Sequence, residues 1–210
     1  MMTVRVGHAV TSGTFSLDGQ TFEVDNNVWV AGDEDECVVI DAPHDVAAIL
    51  DLVAGRRVVA VLLTHAHDDH VRVALELADA TDAPVLLHPA DLVLWRMVHR
   101  GIRPDGDLRD GQVIEVAGIG AEVLHTPGHA PGACCFYLPD IGVVFTGDTL
   151  FAGGPGATGR AYSDFGQIVT SIRDRLLTLP PATVVHTGHG PSTTIAAEAP
   201  HLQEWIDRGK

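Results

Sequence analysis

The strongest constraint in this chain is a cluster of polar side chains at residues 65–70, which read His-Ala-His-Asp-Asp-His. With twelve histidines and twenty aspartates in 210 residues, the pattern His-x-His-x-Asp-His would arise by chance with a probability of roughly 0.4%. Imidazole and carboxylate groups without thiolate suit zinc, iron or manganese, and a catalytic metal site keeps one position open for water. The run therefore predicts a metal-dependent active site.

Five apolar runs, rich in valine and leucine, end in the same way along the chain. Each run is typical of a buried strand, and each stops at a residue that can bind a metal or orient a ligand. Polar groups collected at strand ends are typical of an active site. The five runs are 37–41, 58–65, 121–129, 143–148 and 184–189, and they end at Asp41, His65, His129, Asp148 and His189.

The spacing within the run predicts two metal ions. In an extended turn after a strand, His65 and His67 can point the same way and bind one ion, so that Asp69 and His70 face a second. An aspartate that offers one oxygen to each ion would hold them close enough to share a hydroxide. The later strand ends complete both sites in this interpretation: His129 for the first ion, His189 for the second, and Asp148 as the bridge between them.

The order of these motifs resembles that of a known family. Residues 65–70, 126–129, 146–151 and 187–190 are similar to the ordered motifs of glyoxalase II-like hydrolases in the metallo-β-lactamase-fold superfamily. The match spans residues 37–190. The resemblance implies an α/β fold, a four-layer αββα sandwich with the site along the shared edge of two sheets, and the same division of seven ligands between two ions.

The remaining pattern predicts one domain over residues 1–210, because the length suits a single core and no linker divides the chain. Residues 3–31 alternate in hydrophobicity and are punctuated by Gly13, Gly19 and Asn26-Asn27, which predicts an antiparallel meander. Helices are expected at 44–54, 69–80, 89–99, 164–178 and 200–208.

Four polar residues lie beside these motifs, and three of them have two possible roles. Asp41 matches the acidic residue that ends an early strand in the superfamily, so it is expected to hold a ligand histidine by its other ring nitrogen; the alternative is a helix N-cap. Asp68 is expected to face solvent. His44 could approach the cleft or simply begin a helix. Arg160, after a glycine-rich loop, could bind substrate or be a plain surface charge.

Composition excludes several partners. A net charge of −15 without clustered basic residues argues against nucleic acid. The first residues lack a basic start followed by an apolar stretch, and no apolar run has membrane-spanning length. Three cysteines, an odd number, do not suggest a disulfide framework. We expect a cytoplasmic enzyme without nucleic-acid or membrane partners.

The expected reaction is hydrolysis of a small-molecule thioester. A hydroxide shared by two divalent ions is a nucleophile at neutral pH, and an adjacent ion can polarise the attacked carbonyl. A thiol with a pKa near ~8.5 leaves readily, so no dedicated general acid is needed. Asp69, which could accept the hydroxide's proton, and Asp148, the bridge, are the candidate catalytic residues. Zinc is the expected metal, with iron or manganese as alternatives.

The thiol carrier is inferred from charge and resemblance. Typical glyoxalase II enzymes have a C-terminal helical domain whose basic side chains hold glutathione, whereas this chain ends soon after His189 and contains a single lysine, Lys210. Twelve arginines against one lysine suggest a GC-rich bacterium, where mycothiol, an uncharged sugar thiol, often replaces glutathione. Residues 25–29 and 153–160 resemble proteins associated with mycothiol-dependent formaldehyde oxidation, which implies an S-acyl- or S-formylmycothiol substrate.

Other chemistries use the same scaffold. Persulfide dioxygenases of the superfamily bind one iron through the positions that match His65, His129 and Asp148, and lactonases share the fold. Penicillin-type hydrolases usually have a cysteine where Asp148 stands. A metal-stabilised binding protein would instead show a closed four-ligand site, typically rich in cysteine.

Overall fold

Two six-stranded sheets pack face to face between two layers of helices, in a computed structural model that describes residues 3–209. This is the four-layer αββα sandwich expected from the sequence, and that prediction is confirmed. Met1, Met2 and Lys210 lie outside the described residues.

The first sheet comes from the first half of the chain. Its strands lie in chain order across the sheet, antiparallel at the start and parallel from the third strand onward. They are β1 (Arg5–Leu17), β2 (Gln20–Gly32), β3 (Glu36–Ile40), β4 (Arg57–Leu62), β5 (Val85–Leu87) and β6 (Gly106–Asp107).

The second sheet comes from the second half. Its strands include β7 (Val113–Val116), β8 (Ile119–His125), β9 (Cys134–Leu138) and β10 (Val143–Gly147), while β11 (Leu150–Phe151) and β12 (Gly154–Pro155) form a separate small hairpin. Strands β13 (Val184–Thr187) and β14 (Thr193–Thr194) complete the sheet, whose order is β14-β13-β10-β9-β8-β7.

The helices are short and close to the predicted positions. Four of them continue from or into a turn of different pitch, at Pro89–Asp91, Ile172–Leu176 and Ala199–His201, the last of which joins two helices. Among residues 3–209, no helix combines the length and apolar character needed to cross a membrane. The helices are α1 (Val46–Val53), α2 (Asp68–Val71), α3 (Ala74–Thr81), α4 (Leu92–Val98), α5 (Phe165–Ser171), α6 (Ile195–Glu198) and α7 (Leu202–Arg208).

Three apolar layers hold the sandwich together, and alternation along the strands builds them. In β2, Val28 and Val30 pack under the helices of the first sheet, whereas Trp29 and Ala31 point into the space between the sheets. The third layer lies between the second sheet and helices α5 and α7, around Trp205. Because both faces of each sheet are covered, the strands are almost continuously hydrophobic.

Residues 5–32 differ from the predicted meander. Strands β1 and β2 form one long hairpin whose two-residue turn, Asp18-Gly19, has positive φ at both positions, 52° and 75°. Gly13 and Asn26-Asn27 do not interrupt it; they lie inside the strands, where Gly13 pairs with Val24.

The helix predicted over 69–80 is divided in two. The amide of Val73 donates to the carbonyl of Ala42 at 3.1 Å, and the carbonyl of His70 accepts from the amide of Ala42 at 2.8 Å. These bonds use the peptide groups that a continuous helix would need, so α2 ends and α3 begins anew. The same bonds fasten α2 to the chain that follows β3.

The strands that end at polar residues in the sequence lie side by side in the sheets. Strand β3 runs parallel to β4, and β10 runs parallel to β13 with Val143 opposite Val184 and Gly147 opposite Thr187. The runs that end at Asp148 and His189 are therefore neighbours in the sheet, with a shift in register between Phe145 and Gly147. Because carboxyl ends of parallel strands meet at one edge, the residues that follow them converge there.

Candidate metal centre

Three histidines face one another at the centre of this edge. His65 Nε2 lies 3.0 Å from His67 Nδ1, and His129 Nε2 lies 3.0 Å from the same atom. All three side chains are buried. Together they form a group whose nitrogen atoms could bind one ion.

Hydrogen bonds at the outer nitrogens direct the inner nitrogens toward the centre. His129 Nδ1 donates to the carbonyl of Ala157 at 2.8 Å. His65 Nδ1 lies 3.1 Å from the hydroxyl of Thr64, which itself donates to Asp41 at 2.8 Å. In His65 and His129 these contacts favour a proton on the outer nitrogen, so the inner nitrogen keeps a lone pair, as a metal ligand requires.

A second group lies beside the first. His70 Nε2 is 3.3 Å from His189 Nε2, which is 3.4 Å from Asp69 Oδ2. Here too the outer nitrogens are occupied: His70 Nδ1 donates to Asp41 at 2.8 Å, and His189 Nδ1 donates to the carbonyl of Asp25 at 2.7 Å. These three residues could bind a second ion.

Asp148 lies between the two groups. Its Oδ2 is 3.5 Å from His129 Nε2 in the first group and 3.4 Å from His189 Nε2 in the second. Its Oδ1 is 3.4 Å from His70 Nε2. All seven residues named from the sequence as ligands are thus brought together, with Asp148 touching both groups.

The cluster suits a pair of divalent cations. Within the part of the chain that the structure describes, Asp69 Oδ1 and Asp148 Oδ1 are buried carboxylate oxygens without a hydrogen-bond partner. Buried acceptors of this kind are costly unless a donor or a cation satisfies them. The donor set, five imidazole nitrogens and two carboxylates, is one that zinc, iron and manganese accept.

The pKa values of the cluster residues also favour the binding of cations. Burial and the neighbouring His129 lower the pKa of His67 to about 3, which keeps this imidazole neutral. Burial lowers the pKa of His189, but Asp148 and Asp69 outweigh it and raise that pKa to about 10. Burial opposes ionisation of Asp69, yet His70 and His189 bring its pKa down to about 2. The carboxylates therefore create a field that favours positive charge between them.

Asp41 supports the cluster from behind. Its side chain accepts hydrogen bonds from the amide of Thr64 at 2.7 Å and from His70 at 2.8 Å. Its backbone is left-handed, with φ at 62°, a conformation that aspartate tolerates better than most residues. The helix N-cap is instead Asp45, which accepts from the amide of Ala47 at 2.9 Å.

Two glycines leave room for the cluster. A methyl group on Gly188 would overlap Asp148 Oδ1, and one on Gly128 would overlap the backbone of Ile168. Gly128 also has a φ of 139°, which side chains of L-residues rarely adopt. Glycine immediately before His129 and before His189 therefore allows the chain to pack closely enough for both histidines to lie at the site.

The expectation that Asp68 faces solvent is wrong. Its side chain is 18% exposed; it pairs with Arg72 at 2.6 Å and accepts from the amide of Ser16 at 3.0 Å. It fastens the tip of the first hairpin to α2, because the hairpin folds over the start of this helix.

Two buried polar residues at the site were not predicted from the sequence. Asn26 donates to Asp69 Oδ2 at 3.1 Å from within β2. Asp91 accepts hydrogen bonds from the amides of Ala66, at 2.8 Å, and of Gly132. Asparagine is depleted in strands, so Asn26 inside a valine-rich strand was a usable signal, whereas no local pattern points to Asp91.

A cavity of about 240 Å³ opens above the cluster. Arg160 lines it, with its guanidinium 4.9 Å from the ring centres of Phe15 and of Phe22. Within the described part of the chain no carboxylate pairs with this guanidinium, and it is the one basic side chain on the cavity wall apart from the cluster histidines. The apolar lining consists of Phe15, Val24, Phe151, Ala157 and Ala161.

Comparison with known proteins identifies the family. Residues 21–189 match the model of the metallo-beta-lactamase superfamily, and the chain belongs to this superfamily. A probable metallo-hydrolase of Bacillus subtilis, YqgX, is 34% identical over 186 residues, which cover 82% of this chain and 88% of that protein. A hydroxyacylglutathione hydrolase of Fuscovulum blasticum is 34% identical over 152 residues, covering 72% of this chain and 56% of that protein.

Solved structures share the fold. TTHA1623 in a di-iron-bound form has a TM-score of 0.75 and 35% identity, and the match covers 90% of this chain and 96% of that one. The B3 metallo-beta-lactamase BLEG-1 has a TM-score of 0.77 and 28% identity, over 93% and 99% of the two chains. ETHE1 from Myxococcus xanthus has a TM-score of 0.75 and 27% identity, over 95% and 89%.

Proposed function

We propose that this protein hydrolyses a thioester of a low-molecular-weight thiol with two divalent metal ions. The observation that carries the proposal is the position of Asp148 between two three-residue groups at the floor of a largely apolar cavity. When bound there, two ions would supply a hydroxide at neutral pH and polarise the carbonyl that it attacks.

The chain's own residues have separate roles in this reaction. His65, His67 and His129 would hold the first ion, and Asp69, His70 and His189 would hold the second. Asp148, which lies between the two groups, would be the ligand that they share. Asp69 Oδ1, which is buried and has no hydrogen-bond partner among the described residues, would accept the proton of the attacking hydroxide as the C–S bond breaks and the thiolate leaves.

A thioester is favoured over other acyl substrates for two reasons. The leaving thiol, with a pKa near ~8.5, departs without a general acid, and the cavity lining contains no obvious acid beyond the ligands. The Fuscovulum blasticum relative is a hydroxyacylglutathione hydrolase, which supports thioester chemistry on a similar sequence.

For the thiol carrier we propose mycothiol, with a formyl or other small acyl group. Among residues 3–209, Arg160 is the single basic residue that lines the cavity outside the histidine cluster. A doubly carboxylated carrier such as glutathione would therefore have one basic partner for its two carboxylates. An uncharged sugar thiol can instead use the guanidinium as a donor to its oxygens. Three free, buried cysteines support a cytoplasmic setting for the reaction.

For the metal we propose zinc, which suits a site of imidazole and carboxylate ligands with an open position. Iron is the first alternative, because TTHA1623, at 35% identity, was solved in a di-iron-bound form. Manganese accepts the same ligands.

The test is a substrate panel with protein of known metal content. We expect hydrolysis of S-formyl- and S-acetylmycothiol with a higher kcat/KM than of S-lactoylglutathione, and no consumption of oxygen with glutathione persulfide. Equal turnover of both thiols would remove mycothiol from the proposal. Oxygen consumption by a protein with one iron per chain would replace hydrolysis with persulfide oxidation, and cleavage of lactones alone would indicate a lactonase.

A further inference from the structure

The amide side chain of Asn26 lies inside the second group of ligands. Asn26 is fully buried, and its Nδ2 lies 3.1 Å from Asp69 Oδ2, 3.3 Å from His70 Nε2 and 3.5 Å from His189 Nε2. The described structure shows no hydrogen bond from Asn26 to the first group. Asn26 Nδ2 is therefore within hydrogen-bond distance of all three residues of the second group.

His44 fixes which way this amide points. Its Nε2 lies 2.9 Å from Asn26 Oδ1, and an amide oxygen only accepts, so this ring nitrogen donates. With its oxygen held by His44, Asn26 must present its NH₂ group to Asp69. The ring of His44 fits against β1 because residue 13 is glycine: a methyl group there would overlap the imidazole.

We propose that Asn26, oriented by His44, is a positioning residue that fixes Asp69 and thereby sets how tightly the second metal ion is held. This inference depends on the two-metal site of the proposed function. Neither residue is among the seven ligands, and neither touches the reacting atoms in this account; both act through Asp69.

The physical reason is the asymmetry of the Asp69 carboxylate. Oδ2 is held by Asn26, whereas Oδ1 is buried without a partner. Without the Asn26 donor, the carboxylate can rotate. Binding an ion must then order the carboxylate, and the lost conformational entropy weakens the affinity for the ion. Residues that orient metal ligands typically change metal affinity by about 10- to 100-fold when replaced.

Two replacements of His44 separate orientation from simple packing. Glutamine at residue 44 can place an amide N–H close to the position of Nε2, so His44→Gln should keep Asn26 oriented. Leucine has no donor, so His44→Leu should release the amide. Asn26→Ala removes the donor to Asp69 altogether. His201→Leu, at an exposed histidine on the turn before α7, is the matched control.

The experiment measures the affinities of the first and second Co²⁺ equivalents by competition with a chelator, together with the visible absorption spectrum of Co²⁺ and the thermal unfolding of each variant. We expect Asn26→Ala to weaken the second equivalent by about 10- to 100-fold and to change the first less than about twofold. His44→Leu should change the second in the same direction, while His44→Gln and His201→Leu should retain wild-type values and spectra.

Two outcomes would overturn the inference while leaving the proposed function intact: an unchanged second affinity in Asn26→Ala, or equal weakening of both equivalents. Equal loss in His44→Gln and His44→Leu would also overturn it, because a packing role predicts no rescue by a donor. If Asn26→Ala does not fold, the two His44 variants decide. A wild-type protein that binds fewer than two ions would overturn both this inference and the two-metal function.

Discussion

Asp41 Oδ2 accepts a hydrogen bond from His70 Nδ1 at 2.8 Å, and the same oxygen accepts one from the Thr64 hydroxyl at 2.8 Å. A single buried carboxylate at the end of β3 thus orients a residue of the second ligand group and the residue that precedes the first. The two groups share a common support as well as the bridging position of Asp148.

Replacing Asp41 should therefore loosen the site. In Asp41→Ala, the amide of Thr64 and the ring of His70 lose their acceptor, and we expect affinity for the second ion to fall by about 10- to 100-fold. The unsatisfied buried donors should lower the free energy of unfolding by about 1–3 kcal/mol.

The matched control for Asp41 is Asp45→Ala, because both aspartates follow β3 but Asp45 caps α1. Loss of that cap should cost about 1 kcal/mol with metal affinity unchanged. Equal effects of the two variants on metal affinity, measured by chelator competition, would contradict the role given to Asp41.

Gly188→Ala should displace the bridging aspartate. A methyl group there would overlap Asp148 Oδ1, so we expect thioester hydrolysis to fall by at least about tenfold, the equivalent of 1.4 kcal/mol in the barrier. Gly166→Ala is the control: its added methyl group meets Asp164 at 3.4 Å, an ordinary contact, and alanine should stabilise α5 by about 0.5–1 kcal/mol. A Gly188→Ala enzyme with wild-type kcat would show that Asp148 does not bridge.

Arg160→Gln should impair substrate binding more than chemistry. The guanidinium contacts Phe15 and Phe22 and lacks an ion-pair partner in the described structure, so its N–H groups remain for the carrier. A hydrogen bond from a charged donor contributes about 1.5–3 kcal/mol, which predicts a rise in KM for S-acetylmycothiol of about tenfold or more with kcat nearly constant. Arg103→Gln, at an exposed arginine, should leave both constants unchanged. A fall in kcat at constant KM would contradict the assignment.

Asp91 should make stability depend on pH. Burial raises its pKa from 3.8 to about 6, against hydrogen bonds from Gly132 and Ala66 that lower it. A carboxyl group with a higher pKa in the folded state binds its proton more tightly there, so its contribution to stability falls as pH rises from about 4 to about 6.

The comparison with Asp91→Asn isolates that contribution, because asparagine does not titrate. Between pH 4 and pH 7 the unfolding free energy of the wild type should fall relative to the variant, by at most about 3 kcal/mol. Urea unfolding at several pH values, with both proteins in the same metal state, measures the difference. A difference that is constant or grows with pH would contradict the prediction.

The convergence of the cluster residues could be predicted because several of them follow a local signature in the sequence. An apolar strand, a turn and a histidine or aspartate recur at His65, His129, Asp148 and His189, and parallel strands bring such ends together. The fold followed from the same alternation of strands and helical periods, and the family resemblance supplied the arrangement of layers.

What the sequence did not reveal depends on contacts between distant segments. Asn26 donates to Asp69 because β2 passes beside that residue. Asp91 accepts from Gly132 because the turn before α4 lies against the loop that contains this glycine. The division of the helix predicted over 69–80 has the same origin, since Ala42 takes its peptide groups. Tertiary hydrogen bonds override local periodicity in these places.

The most direct test of the central claim is a metal titration of the metal-free protein, followed by both metal analysis and thioester hydrolysis. A site in which Asp148 bridges two ions predicts that activity remains low after the first equivalent of Zn²⁺ and rises to its maximum as the second binds, with two ions per chain at saturation. Full activity with one ion per chain, of zinc or of iron, would contradict the two-metal account.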